Sequence, residues 1–125
     1  MPTRERVAAF VERVVSGDHI GAIEDYYHAG ASMQENGAEP RRGRDALLAH
    51  ETSVLRRMTM HTHPPAVCLV DGDHVAIQWT FDMTDPAGVT RRLEEFSLQR
   101  WDGDRIIEER FFYDPSAART AISRA

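Results

Sequence analysis

Residues 74–83 alternate without a break: Val75, Ile77, Trp79, Phe81 and Met83 fall on one side of an extended chain, and His74, Ala76, Gln78, Thr80 and Asp82 on the other. A period of two cannot be laid on a helix and marks a strand with one buried face. Similar runs occupy 66–71, 90–101 and 105–113. The joints between the four runs are Asp71-Gly72-Asp73, Asp85-Pro86-Ala87-Gly88 and Asp102-Gly103-Asp104, all turn chemistry of hairpin length. The second half of the chain is therefore predicted to be an antiparallel meander.

The first half has the other period. Val7, Phe10, Val11, Val14 and Val15 recur at helical spacing and predict a helix over 3–16. Ser16-Gly17-Asp18 ends it, and Asp18 can cap a second helix over 18–28, with Ile20, Ile23, Tyr26 and Tyr27 inward. Residues 31–35 read as a short strand, 36–43 as a loop and about 44–58 as a third helix carrying Leu47, Leu48, His50, Glu51, Val54 and Leu55. Helices first and strands afterwards imply an α+β fold, not a parallel βαβ sheet. With 125 residues there is room for one core, and the expectation is a single domain over 1–125.

Composition removes several classes of function. The net charge is −5, with no basic stripe for phosphates, so neither nucleic acid nor an anionic membrane is an expected partner. All fifteen basic residues are Arg, which excludes Schiff-base and Lys-base chemistry. Cys68 is the only cysteine, so no internal disulfide and no Cys-rich zinc site can form. The start of the chain has no apolar signal region and no run approaches a membrane span, which gives a cytoplasmic expectation. His61-Thr62-His63 sets two imidazoles on one side of an extended segment, but Pro64-Pro65 follows at once and no third ligand is evident, so no metal and no cofactor is expected.

The strands 93–101 and 105–113 carry apolar residues on both faces. Leu93, Glu95, Ser97, Gln99 and Trp101 alternate with Glu94, Phe96, Leu98 and Arg100; Ile107, Glu109, Phe111 and Tyr113 alternate with Ile106, Glu108, Arg110 and Phe112. A sheet with helices on one side and a second subunit on the other reads this way, and a homodimer through the outer sheet face is expected. Periodicity by itself puts Phe96 and Leu98 in the core and Glu95 and Gln99 outside.

The order of elements resembles the nuclear transport factor 2-like superfamily, and within it the SnoaL-like and ketosteroid isomerase-like proteins. The residues carrying the resemblance are Ser16-Gly17-Asp18, Tyr26-Tyr27-His28-Ala29-Gly30-Ala31-Ser32-Met33, Arg42-Gly43-Arg44-Asp45-Ala46-Leu47 and Trp101-Asp102-Gly103-Asp104-Arg105-Ile106-Ile107. The resemblance implies a cone in which a curved, mostly antiparallel sheet wraps three N-terminal helices and a hollow holds a small organic ligand. It also implies that Glu95, Ser97, Gln99 and Glu109 face the hollow, the reverse of what periodicity says of Glu95 and Gln99, and that is the reading adopted. The alternative leaves them outside, paired with Arg91, Arg92, Arg100 or Arg110.

By the same resemblance Glu35 takes the place of the isomerase base, while the two oxyanion donors fall on Phe10 and Ser97 and are missing, so steroid isomerisation is not expected. Asp114 takes the place of a cyclase acid, and His50 faces the hollow, where it can assist Glu35. Trp79, Phe111, Tyr113 and Trp101 are expected to form an aromatic wall for a flat ligand. The implied function is a cofactor-free isomerase, cyclase or dehydratase working through a pocket carboxylate. Two alternatives stay open: a non-catalytic binder of a small apolar metabolite, and a dimeric scaffold module.

Overall fold

A computed structural model describes residues 1–116. Helix α1 (Arg4–Val15) is capped by Thr3, whose Oγ1 accepts from the Arg6 amide at 3.0 Å. Helix α2 (His19–Tyr26) is capped by Asp18, which accepts from the Gly21 amide at 2.9 Å. Strand β1 (Tyr27–Glu35) follows α2 directly, so Tyr27 belongs to the strand and not to the second helix. The stretch expected to be a loop contains a two-residue strand, β2 (Arg41–Arg42), that pairs with Ser32 and Met33. Helix α3 (Arg44–Arg57) leads into β3 (Thr59–Thr62), and then come β4 (Val67–Asp71), β5 (His74–Thr84), β6 (Thr90–Asp102) and β7 (Arg105–Phe112). The expected tail, 116–125, lies outside the described residues beyond Ser116.

The strands form one sheet in the order β2-β1-β7-β6-β5-β3, with β4 also pairing β5. The meander β4-β5-β6-β7 is antiparallel throughout, as the turn chemistry predicts. Its two-residue loops, Gly72-Asp73 and Gly103-Asp104, carry glycine at the first central position with φ of 59° and 60°. That backbone matches the twist of the strands it joins and disfavours any side chain there. Only β1 and β7 run parallel, which closes the α-helical half onto the sheet.

The helices lie in the concave face. Val7, Phe10 and Val14 of α1, Ile23 and Tyr26 of α2 and Leu47 of α3 are buried against Val75, Ile77, Trp79, Trp101 and Ile106 of the sheet. Phe10 meets the rings of Tyr26, Tyr27 and Trp101 edge-on at 5.5–6.1 Å. Each such large apolar side chain stabilises the fold by about 1.5–3 kcal/mol through burial.

One irregularity decides the chemistry of the hollow. Arg100 pairs with Glu108 but Trp101 pairs with Ile106, so Ile107 is an extra residue in β7. This bulge puts Ile106, not Ile107, on the concave face beside Trp101, while Glu109 and Phe111 remain on that face beyond it. The strict alternation expected for 105–113 is therefore broken after its first two residues.

Candidate functional site

The hollow is a cavity of about 180 Å³. Its walls are largely apolar: Phe10 and Val14 from α1, Ile23 from α2, Val54 from α3, and Trp79, Phe81 and Met83 from β5. Trp79 and Phe81 are stacked at 5.7 Å. Into this surface project four carboxyl groups, Glu35, Glu51, Glu95 and Glu109, each from a different element.

Glu95 stands opposite Trp79 in the β5–β6 ladder and is 7% exposed. It has no hydrogen bond or ion pair from its carboxyl group to any described residue, and that group opens into the cavity. Burial, and then the neighbouring charges of Glu109, Glu35 and Glu51, push its pKa up to about 8. At neutral pH it is a carboxylic acid with a proton to give.

Glu109 is 1% exposed and has the opposite surroundings. Tyr27 donates its hydroxyl to Oε1, and Gln99 Nε2 donates to Oε2 at 2.7 Å. Gln99 is held in that orientation because Trp101 Nε1, which can only donate, takes Gln99 Oε1 at 3.0 Å. Ser97, on the same face, adds a weaker polar contact to Glu109, although its hydroxyl meets no partner at hydrogen-bond geometry. Burial raises Glu109 and these donors lower it, leaving it at about 6. Burial and the Glu109 charge raise the Tyr27 hydroxyl well above its ordinary value.

At the mouth, Glu35 is paired with Arg41, Nη1 to Oε2 at 3.4 Å. His50 lines the same region, but no hydrogen bond joins it to Glu35; burial and then Arg41 lower its pKa, and Glu35 raises it. Glu51 is raised by burial and by Glu35. His19, hydrogen-bonded to Thr62 Oγ1 at 3.2 Å, is lowered by burial.

The residues expected to form a site thus separate into three groups. Glu35, His50, Trp79, Glu95, Glu109 and Phe111 line the cavity. Ser97 and Gln99 are buried on the concave face beneath it and support Glu109. Two residues fall elsewhere. Tyr113 is half-buried just past β7, near enough to the mouth for Glu35 and Glu95 to help burial raise its hydroxyl, but it does not line the cavity. Asp114 is exposed beyond the strand end, and its Oδ1 accepts from the Ser116 amide at 2.9 Å and hydroxyl at 2.7 Å in a local turn, so it is not brought to the cavity. Trp101, offered for the aromatic wall, is instead packed in the core.

Sequence reasoning missed Tyr27, Arg41 and the cavity role of Glu51. For Glu51 a signal existed: Leu47, His50, Glu51 and Val54 follow helical i, i+3, i+4, i+7 spacing, so Glu51 sits on the inward stripe. No local signal separated Tyr27 from its helix. His63 does not join His61 at a metal: its Nε2 bonds Asp82 Oδ2 at 2.8 Å. Among the described residues no group of three or more His, Cys, Asp or Glu side chains is arranged to hold a metal ion.

A family model, the SnoaL-like domain, matches residues 7–109, most of the chain. The chain belongs to the SnoaL-like domain family. Within the known structures it is similar to a protein described as a SnoaL-like polyketide cyclase from Mesorhizobium loti, at 27% identity and a TM-score of 0.78 over 87% of this chain and 97% of that one. It is similar in fold to a protein with a ketosteroid isomerase-like fold from Catenulispora acidiphila, solved with trimethylamine, at 18% identity and a TM-score of 0.77 over 93% and 90% of the two chains. An epoxide hydrolase of M. tuberculosis shares the fold at 15% identity and a TM-score of 0.76 over 92% and 84%. A search of the curated proteins found no match. The SnoaL-like assignment agrees with the α+β cone, and burial in the structure puts Glu95 and Gln99 on the concave face.

Proposed function

We propose that this SnoaL-like protein is a cofactor-free proton-transfer enzyme of the isomerase, cyclase or dehydratase type, acting on a small organic molecule held in the cavity. The observation that carries this reading is Glu95: a buried carboxyl group, without a protein partner, facing an apolar cavity that also holds a second, Arg-paired carboxylate, Glu35. Glu95 is buried without a partner and Glu35 is ion-paired with Arg41, surroundings that suit an acid and a base respectively.

In the proposed step Glu35 takes a proton from the carbon next to a carbonyl. The C–H electron pair becomes the C=C of an enol, and the carbonyl oxygen receives a hydrogen bond or the proton from Glu95. Return of the Glu35 proton to another carbon of the conjugated system, with recovery of the proton by Glu95, completes an isomerisation. In a dehydration the Glu95 proton goes to a β-hydroxyl group instead of the carbonyl oxygen, that group leaves as water as the C=C forms, and the proton taken by Glu35 is exchanged through solvent to restore Glu95. Glu95 fills the place of the oxyanion donors missing at Phe10 and Ser97. Arg41 orients Glu35 at the mouth, and His50 lines the cavity wall near them.

The experiment is a turnover screen over small enones, β-hydroxy ketones, phenols and epoxides, with wild type and Glu95→Gln side by side. The reading requires turnover of at least one class by wild type and its loss in Glu95→Gln with ligand binding kept, since the amide preserves shape but has no acidic proton. Binding without turnover by wild type favours the binder.

The convex face supports the partner expectation. Phe96, Leu98 and Phe112 are 52%, 42% and 41% exposed. Phe96 pairs with Phe112 across β6 and β7, so the three form one patch on the side of the sheet away from the helices. A second copy seated there is the proposed homodimer. No described helix is long and apolar enough to cross a membrane, and a cytoplasmic location is part of the same proposal.

A further inference from the structure

The Glu109 carboxylate has no counter-ion. Both of its oxygens accept from neutral donors, Tyr27 and Gln99, and Gln99 cannot turn its carbonyl to Glu109 without leaving Trp101 Nε1 unpaired. Such a ring of donors is built for the anion. No Arg or His pairs with it among the described residues, and the chain has no Lys. Buried carboxylates elsewhere in proteins are paired, because an uncompensated charge in an apolar site is costly.

The rest of the cavity does not supply the missing charge. Arg41 is the one guanidinium in the lining, and it is engaged with Glu35. His19 and His50 are both lowered, burial being the first cause of each, so neither is a cation at neutral pH. Against this stands the Glu109 carboxylate, with Glu51 and Glu95, both raised by burial, beside it. Glu95 is more than nine-tenths buried, unpartnered and open to the same space. Trp79 and Phe81, stacked on one another at 5.7 Å, line the cavity as well, and aromatic rings attract cations.

We infer that the ligand of this cavity carries a positive charge, an ammonium or quaternary ammonium group, which seats against Glu109 and the aromatic wall and completes the charge balance of the site. The inference rests on the cavity being the ligand site, as proposed above, and adds the charge of the ligand. It does not require Glu95 to act as an acid.

The pH dependence follows from the groups that face Glu109. These are Tyr27 from β1, Glu51 from α3 and Glu95 from β6, with Glu35, Arg41, His19, His50 and Tyr113 farther out. Glu109 holds its proton below about 6, so cation affinity falls as pH drops through that value. Glu95 loses its proton near 8, which adds a second rise above neutrality. The outer histidines gain charge on acidification and act in the same direction as the loss of Glu109.

The test is calorimetric titration of the whole protein with choline and with dimethylbutanol, its neutral carbon isostere, at constant ionic strength. The expected result is choline binding at least about tenfold more tightly at neutral pH. Choline affinity should then fall by up to about tenfold per pH unit below Glu109's pKa, while the isostere's stays level. Glu109→Gln should abolish the preference; if that variant does not fold, the wild-type pH profile decides alone. Equal or tighter binding of the isostere, no choline binding at tens of millimolar, or a flat pH profile overturns the inference. Glu95-dependent turnover of neutral enones by a protein with no cation preference would overturn it while leaving the proposed reaction standing.

Discussion

The two faces of the β5–β6 ladder each bury a carboxyl group, and the two groups titrate in opposite directions. On the convex face Asp82 is 8% exposed; on the concave face Glu95 is 7% exposed. Asp82 is clamped by Arg92, with Nε to Oδ1 at 2.8 Å and Nη2 to Oδ2 at 3.1 Å, and by His63 at 2.8 Å. Arg92 holds it well below the ordinary carboxylate range; burial opposes and His63 assists. The partners of Asp82 are themselves partly open to water, whereas Glu95 lines the cavity together with residues of all three helices. Equal exposure therefore says nothing about charge state. Partners and depth decide it: the convex carboxylate is held ionised by its ion pairs, and the concave one keeps its proton.

The largest test of this contrast is Glu95→Gln. If Glu95 is the acid, the proposed turnover falls by about 10²–10⁴-fold, the range removed with a general acid, while the fold is kept. Stability adds a signed check. The unfolded chain releases the Glu95 proton near 4.5 and the native state keeps it to about 8, so ionisation costs the folded protein stability progressively across that interval. The variant should gain on wild type as pH rises through the same window, measured by urea unfolding at several pH values. A constant difference would mean that Glu95 is solvated.

The next effect belongs to the convex face. Asp82→Ala leaves Arg92 and His63 without their acceptor and should cost about 1–3 kcal/mol above the ordinary carboxylate pKa, with cavity binding untouched. The sign is opposite to that of Glu95. The depressed pKa stabilises the fold above 3.8, and that contribution is lost as pH falls towards the native value. Arg92→Leu sharpens the comparison by leaving Asp82 buried with His63 alone. Its carboxyl should then rise in a carbon-detected NMR titration, moving towards Glu95 in behaviour; no movement would mean that Arg92 is not what holds it down.

Trp101→Phe tests the support beneath the cavity. It frees Gln99 to turn, so Glu109 should titrate above its present value of about 6, within about one unit, while the smaller ring leaves a gap in the core that lowers stability. The smallest effect on folding is expected from Leu98→Gln on the convex patch, within about 0.5 kcal/mol for the monomer. The same substitution should weaken the proposed dimer in sedimentation; unchanged association would place the interface elsewhere.

Much of the fold was legible locally. The 74–83 alternation, the valine and phenylalanine stripe of α1 and the Asp-Gly-Asp joints give element type and order, because periodicity and turn chemistry act over a few residues. The site was legible in part. Glu35, His50, Trp79, Glu95, Glu109 and Phe111 do line the cavity, but Glu95 was placed by resemblance against its own hydropathy pattern. In β6 the polar residues face in and Phe96 and Leu98 face out, so hydropathy reverses there. Asp114 failed because residues past a strand end are governed by their own turn, here with Ser116.

By itself the sequence determined three helices, an antiparallel meander, the absence of lysine and the supply of acidic residues. All of these are properties of short windows or of composition. Tertiary structure alone decided the bulge at Ile107, the parallel pairing of β1 with β7, the meeting of Tyr27 with Glu109 and the split between Asp82 and Glu95. The physical reason is range. A turn or a stripe is set by neighbours along the chain, whereas a carboxyl group's proton is set by whatever distant elements bring within a few ångströms of it: Tyr27 lies 82 residues from Glu109, and Asp82 finds Arg92 across a hairpin.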